Sequence, residues 1–231
     1  MFNVPTWQIA KTELTEAASS VTLTVDLGDV PFTPRHLAVR INAQGTQAAI
    51  YTAIAVRLNG DTGANYNRQA LGAESTSYFA ARYTAETSWA TLFYASAASS
   101  ADEEFSGGEL LFPDAFSTRT HKSMLAYGGS NEDLIRIDGG RWANTAAITS
   151  VTILPGSGNF IAGSTFELCV VDESFNVSEQ ILSGDDTFTV TGISAADGDL
   201  VAIANTRSDA SADLDAMGLE FNGDSGANYT H

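Results

Sequence analysis

Residues 148–154 read ITSVTIL, and residues 21–27 read VTLTVDL. In both stretches apolar side chains alternate with polar ones, and residues 37–41 (LAVRI) continue the pattern. Because successive side chains of a β-strand point to opposite faces of a sheet, this alternation predicts strands that are buried on one face. The sequence therefore predicts a protein built from β-sheets.

Nine further segments have the length and composition of strands, and Gly, Asn, Asp, Ser and Pro occupy the gaps between them. They are residues 53–58, 89–95, 109–112, 122–127, 134–138, 166–171, 188–193, 200–204 and 217–221. For residues 74–85 (ESTSYFAARYTA) we expect a short helix. This organisation predicts an all-β fold, a jelly-roll-like sandwich of two sheets.

The composition excludes several classes of protein. The chain has 231 residues, of which 44% are hydrophobic, so it can bury a core. It has 28 acidic and 11 basic side chains, which give a formal net charge of −17. Because nucleic-acid binding depends on clustered Lys and Arg, we expect no nucleic-acid partner. We also expect no membrane partner, because an acidic chain is repelled by an anionic membrane surface and no stretch of about 18 apolar residues occurs that could span a bilayer.

Residues that usually form disulfides or bind zinc are sparse. Cys169 is the single cysteine and lies in an apolar run, TFELCVV, which predicts a buried thiol. The three histidines, His36, His121 and His231, are far apart and have no metal-ligand spacing. The sequence therefore offers no zinc site and no intrachain disulfide.

One segment of the sequence occurs twice. Residues 58–66 read LNGDTGANY, and residues 221–229 read FNGDSGANY. The offset of 163 residues holds without gaps back to Leu37 and Leu200, and 11 of the 30 aligned pairs are identical. So many identities at one offset indicate a duplicated module.

The repeat divides the chain into two units. We expect residues 1–171 to form a complete β-sandwich module and residues 172–231 to form the first half of a second copy. Half a sandwich has an open apolar face and unpaired edges, so we expect a longer gene product to complete it. Completion by a neighbouring chain and an exposed remnant are the alternatives. The second unit holds 12 acidic residues and one basic residue, so the first unit is better suited to docking.

The repeated turn contains the candidate site residues. They are Asn59, Asp61 and Asn65 in the first copy, and Asn222, Asp224 and Asn228 in the second. The favoured interpretation is a tight loop, because Asn, Gly and Asp tolerate left-handed backbone and bond nearby N–H groups. A calcium site is the alternative, since hard cations prefer carboxylate and carbonyl oxygens. We expect no other cofactor.

Arg141 and Trp142 lie next to each other at a predicted turn. Both residue types are enriched at the energetic centres of protein interfaces. We therefore hypothesise that the pair contacts a partner protein, with core packing as the alternative. No combination of nucleophile, base and orienting group can be assembled from the motifs, so we expect a protein that is not an enzyme.

Three motifs occur in a characteristic order. They are residues 59–66 (NGDTGANY), residues 118–122 (TRTHK), and residues 140–149 (GRWANTAAIT), which lead to residues 158–166 (GNFIAGSTF). In this respect most of residues 7–171 resembles a family of tailed-bacteriophage virion proteins built from β-sandwich modules. The resemblance implies a place in a virus particle and implies no active site.

From this resemblance we expect a virion structural protein, made in the host cytoplasm and located in the phage particle. It would be the N-terminal anchoring module of a fibre-like or spike-like appendage, or a head-decoration protein. Its partners would be capsid, portal, tail or fibre proteins, together with further copies of itself in a homo-trimer. Parts beyond residue 231 would bind a host-surface glycan.

A second hypothesis is a secreted or surface carbohydrate-binding β-sandwich, with calcium as an optional ligand. Trp7, Trp89, Trp142 and Tyr127 would then stack on sugar rings. This hypothesis predicts a monomer that calcium or a glycan stabilises. The structural hypothesis predicts a stable symmetric oligomer that requires no small ligand.

Overall fold

A computed structural model describes residues 6–100, 104–130 and 134–171. These residues form twelve strands and no helix. The strands are β1 (Thr6–Glu13), β2 (Val21–Thr24), β3 (Leu37–Gly45), β4 (Tyr51–Leu58), β5 (Tyr66–Glu74), β6 (Ser77–Glu86), β7 (Trp89–Ala97), β8 (Ser106–Phe112), β9 (Lys122–Ser130), β10 (Leu134–Trp142), β11 (Ser150–Pro155) and β12 (Thr165–Val171).

The strands form two sheets that face each other. The large sheet has the strand order β1-β12-β3-β8-β9-β10-β5-β6, and all its neighbouring strands are antiparallel. The small sheet has the order β2-β11-β4-β7 and is also antiparallel. The end of β3 joins the two sheets, because it pairs in parallel with the end of β7. The predicted all-β, jelly-roll-like sandwich is confirmed.

The core lies between the inner faces of the two sheets. It is filled by the alternating apolar residues of the strands, such as Val39 of β3, Val151 and Ile153 of β11, and Leu168 of β12, all fully buried. Each such side chain stabilises the fold by about 1.5–3 kcal/mol relative to an exposed position. Strand β7 packs across β8, β9 and β10. The thiol of Cys169 is buried, as predicted.

The helix expected at residues 74–85 is wrong. Glu74 ends β5, Ser75 takes a left-handed φ of 53°, and the chain returns as β6, antiparallel to β5. Ala, Glu and Arg favour a helix in an isolated segment. Here backbone pairing with β5 along the whole segment outweighs that local preference. Strands β1, β5 and β6 were not predicted from the pattern.

The other predicted strands within the described residues are confirmed, with ends that differ by a few residues. The strands predicted at residues 188–193, 200–204 and 217–221 lie outside the described residues. The second half-module, residues 172–231, lies outside them as well. The division into two modules therefore stays a prediction.

Candidate functional site

The repeated turn joins β4 to β5, and Asp61 is at its centre. The Oδ1 atom of Asp61 accepts a hydrogen bond from the Gly63 N–H (2.7 Å). The Oδ2 atom accepts from Asn65 Nδ2 (2.9 Å) and from Trp142 Nε1 of β10 (2.7 Å). Burial acts to raise the pKa of Asp61, but these hydrogen bonds outweigh it and hold that pKa below its ordinary value. Asp61 therefore ties the turn to β10.

Asn59 ties the same turn to β11. Asn59 and Gly60 both take left-handed backbone angles, with φ of 52° and 66°. The Oδ1 atom of Asn59 accepts hydrogen bonds from the backbone N–H groups of Thr149 (2.8 Å) and Ser150 (3.1 Å). Its Nδ2 donates to the Ala147 carbonyl at 2.7 Å. The side-chain amide of Asn59 thus adds to the backbone hydrogen bond from the Asn59 N–H to the Ser150 carbonyl (3.0 Å) where β11 begins.

Tyr66 closes the turn from the core side. Its ring is fully buried and packs edge-on against Trp89, with ring centres 5.2 Å apart, and stacks on Trp142 at 6.4 Å. Its hydroxyl accepts a hydrogen bond from the Leu58 N–H (3.0 Å) and lies 3.1 Å from the Asp61 carbonyl. The repeated octet is therefore a folding element that fastens β4, β5, β10 and β11 together.

The calcium interpretation does not fit these contacts. A calcium ion needs several oxygen atoms whose lone pairs point to one centre. Both oxygens of Asp61 and the Oδ1 of Asn59 accept hydrogen bonds from N–H groups of different segments. Within the described ranges, no group of three or more His, Cys, Asp or Glu residues is placed to hold a metal. The second-copy residues, Asn222, Asp224 and Asn228, lie outside those ranges.

The structure separates Arg141 from Trp142. Trp142 is 1% exposed and belongs to the core, whereas Arg141 is exposed on the opposite face of β10. Adjacent residues of a strand point to opposite faces, so the two side chains do not form one contact surface. This corrects the hypothesis of an Arg141–Trp142 interface pair in favour of its core-packing alternative.

The structure also divides the four aromatic residues of the carbohydrate hypothesis. Trp89 is fully buried like Trp142, and both rings pack inside the sandwich. Trp7 is 45% exposed on β1, at one edge of the large sheet. Tyr127 lies on β9. Two of the four rings are therefore not accessible to a sugar.

A buried ion network lies on the inner face of the large sheet, at β5 and β10. Asp138 is fully buried and accepts hydrogen bonds from Arg68 (3.1 Å) and Arg136 (3.0 Å). Arg68 also pairs with Glu86 at 2.9 Å, and its guanidinium lies 3.7 Å from the centre of the Tyr83 ring. Buried charges persist only when they are paired in this way. The network therefore allows Arg68, Arg136 and Asp138 to face inward.

The outer face of the large sheet, which points away from the small sheet, has two halves. The charged half comprises Lys11, Glu167, Arg40 and Glu109, which are cross-strand neighbours on β1, β12, β3 and β8, and it ends at Tyr127 of β9, which borders the apolar half. Lys11 and Glu167 are 3.3 Å apart, and Arg40 donates to Glu109 at 2.7 Å. The Tyr127 hydroxyl also donates to Glu109, and burial together with this bond raises the pKa of Tyr127 to about 12. This half satisfies its own charges.

The apolar half occupies the outer face of β9, β10, β5 and β6. It comprises Leu71 (60% exposed), Tyr78 (87%), Leu125 (36%), Ile135 (64%) and Ile137 (49%). A shallow groove beside Ile135 and Ile137 is lined by Tyr127, Gly128 and Gly129. Large apolar side chains that are exposed together on one face mark an interaction surface. The apolar half is therefore the candidate functional site of the described residues.

The motifs did not reveal this surface. The sequence of β10, LIRIDGGRW, alternates apolar and polar residues, and such alternation does not say which set faces the core. One feature of the sequence could have indicated this surface: Ile135 and Ile137 share one face of β10 and alternate with Arg136 and Asp138 on the other.

No family model matches the chain, and neither the curated proteins nor the solved structures include a significant match. No helix of the described residues is long and apolar enough to cross a membrane.

Proposed function

We propose that the chain is a structural protein of a tailed-bacteriophage virion and that it works as an assembly module. The observation that carries this proposal is the apolar half of the outer face. A rigid sandwich that presents Leu71, Ile135 and Ile137 to solvent exposes a surface that gains free energy when a protein covers it. The resemblance of residues 59–66, 118–122, 140–149 and 158–166 to virion proteins supplies the biological setting.

The internal construction of the module supports a mechanical role. The octet at residues 59–66 is engaged through Asn59, Asp61 and Tyr66 in contacts with β10 and β11. A segment whose Asn59, Asp61 and Tyr66 side chains are engaged in contacts within the fold fits a module that is duplicated to extend a particle. In this proposal the chain anchors a fibre-like or spike-like appendage, or decorates the head, through contacts with other virion proteins and with further copies of itself.

The test uses particles of the phage or prophage whose genome encodes the chain. Particles are purified through two successive density gradients, and each fraction is analysed by quantitative mass spectrometry. We expect peptides of the chain to follow the major capsid protein at a constant ratio through both gradients. Immunogold labelling with antibodies to the chain then locates it on the head or the tail. A chain that is abundant in the lysate but absent from the purified particles would contradict the proposal.

A further inference from the structure

The apolar half has a large residue and a small residue at opposite ends of the same cross-strand row. In this row Gly129 of β9, Ile135 of β10, Ala73 of β5 and Tyr78 of β6 follow one another across the sheet. The Tyr78 side chain is 87% exposed, whereas Gly129 lines the groove. The projecting Tyr78 side chain and the groove at Gly129 therefore lie in the same row, three strands apart.

The neighbouring row also has an aromatic residue at one end and a small residue at the other. It contains Tyr127 of β9, Ile137 of β10, Leu71 of β5 and Ala80 of β6. Here the ring is on β9 and the small residue is on β6, the reverse of the first row. Both rows thus have an aromatic ring on one of the two strands β9 and β6, and a small residue on the other.

A two-fold axis that runs parallel to the strands, midway between β10 and β5, makes this face complementary to itself. The axis exchanges β9 with β6 and β10 with β5, and it keeps each row in place. Tyr78 of the second copy then lies over the groove at Gly129, and Ile135 lies over the second copy's Ala73. In the next row Tyr127 meets Ala80, and Ile137 meets Leu71. Sheets that pack face to face interdigitate side chains in this manner.

We propose that the apolar half is covered by a second copy of this chain, docked face to face about this two-fold axis. The inference rests on the proposed assembly function and names the partner at its interaction surface. A two-fold contact makes a dimer, in place of the trimer that the sequence predicts.

The size of the face is sufficient for a dimer. Four strands spaced about 4.8 Å apart make a face roughly 19 Å wide, and nine residues extend it to about 30 Å. Two such faces bury on the order of 1,100 Å² when they pack together, which is above the roughly 1,000 Å² that a specific interface requires.

The charges of the face permit contact between two copies. The chain has a formal net charge of −17, so two copies repel each other over most of their surface. The first two rows contain no charged residue. The next two rows, which are Leu125, Gly139, Gln69 and Arg82, then Ser123, Arg141 and Asn67, contain one arginine each and no carboxylate. Contact through this face therefore brings no acidic side chains of these rows together.

The test measures the mass of the full 231-residue chain by sedimentation equilibrium over a wide range of concentration. We expect the unmodified chain to be a dimer and Ile135→Asp to raise its dissociation constant by roughly 30-fold or more, as loss of a central interface contact does. The matched control is Ile50→Asp, because Ile50 is 43% exposed but lies outside the apolar half. We expect this control to dimerise like the unmodified chain.

A second variant covers the case in which Ile135→Asp fails to fold. A Cβ atom at Gly139 meets nothing within 4 Å in its own chain, so Gly139→Glu leaves the fold intact and obstructs only a docked copy. We expect a folded monomer by circular dichroism and sedimentation.

Three results would overturn the inference: a chain that is monomeric at every concentration, a trimer, or a dimer that Gly139→Glu does not weaken. These results are independent of the proposed function, which the content of purified particles decides. A chain that is present in particles but monomeric in solution contradicts the dimer alone. A dimer that is absent from particles contradicts the virion role alone.

Discussion

The charged and apolar halves of the large sheet have their ion pairs on opposite faces of the sheet. In the charged half, Arg40 and Glu109 face solvent, while their strand neighbours Val39 and Leu110 are fully buried. In the apolar half the order is reversed, because Ile135 and Ile137 face outward while Asp138 is fully buried.

This reversal is informative because it costs free energy. Burying Arg136 and Asp138 requires their desolvation, which the ion pair at most offsets. Exposing Ile135 and Ile137 forgoes the free energy that their burial would provide. Both unfavourable terms occur at the apolar half and not at the charged half. They are explained if another protein surface covers the apolar half in the assembled protein.

The largest expected effect is that of Asp138→Asn, compared with Glu109→Gln. Asp138→Asn removes the negative charge between Arg68 and Arg136, both nearly fully buried, and we expect it to lower the free energy of unfolding by about 3–5 kcal/mol. Glu109→Gln acts on a partly exposed pair with Arg40, for which we expect about 1 kcal/mol or less. Urea unfolding of both variants measures the difference. Equal losses would show that the buried network is not specific to the apolar half.

The next effect concerns the turn that fastens β5 and β10, the two central strands of the apolar half. Asp61→Ala leaves the buried indole N–H of Trp142 without its acceptor, so we expect a loss of about 1–3 kcal/mol. The matched control is Asp26→Ala, since Asp26 accepts one exposed hydrogen bond from Gly28. We expect the control to change stability by less than about 0.5 kcal/mol. Thermal unfolding followed by tryptophan fluorescence compares the two, and similar melting temperatures would contradict the prediction.

A smaller effect tests the charged half through pH. Burial and the hydrogen bond to Glu109 raise the pKa of Tyr127 from 10.0 to about 12. The folded protein therefore binds this proton more tightly than the unfolded chain does. This contribution to stability is fully present below pH 10 and is lost as the pH rises towards about 12.

The pKa of Tyr127 is measured from the phenolate absorbance as a function of pH. The absorbance of Tyr127→Phe is subtracted from that of the unmodified chain. In Glu109→Gln we expect the pKa of Tyr127 to fall, because the carboxylate no longer opposes ionisation. We expect the accompanying loss of stability to be about 1 kcal/mol. An unchanged pKa of Tyr127 in Glu109→Gln would contradict the prediction, because it would show that Glu109 does not affect the Tyr127 hydroxyl.

The smallest expected effect on the fold is that of Ile137→Thr in the apolar half. Ile137 is 49% exposed in the single chain, so we expect a change of less than about 0.5 kcal/mol when the protein is dilute. Ile153→Thr, at a fully buried position, is the matched comparison, and we expect it to cost about 1–3 kcal/mol. Urea unfolding at low protein concentration distinguishes the two. A large loss for Ile137→Thr would place Ile137 in a core rather than on a surface.

Nine of the twelve described strands could be predicted from the sequence, because alternation is a local property. Residues 21–27, 37–41 and 148–154 show it clearly, and the structure contains strands at all three places. Residues 74–85 misled the prediction, because their pairing with β5 is a tertiary interaction that helix propensity does not include.

The roles of individual residues depended on contacts between distant segments. The repeat identified Asp61 as important, but its function depends on Trp142, 81 residues away. The inward direction of Arg68 depends on Asp138, 70 residues away in the sequence. Nothing in the alternation of β10 alone predicts that its isoleucines face outward. The candidate surface therefore required the register of the sheet.

The most direct test of the central claim is the accessibility of the apolar half in the full chain. Hydroxyl-radical footprinting at low and at high protein concentration reports the exposure of Leu71, Tyr78, Ile135 and Ile137. Trp7, which is 45% exposed and lies at the other edge of the large sheet, is the internal reference. We predict that oxidation of the four residues falls at high concentration while that of Trp7 stays constant. Equal oxidation of the four residues at both concentrations would contradict the claim that a second copy covers this face.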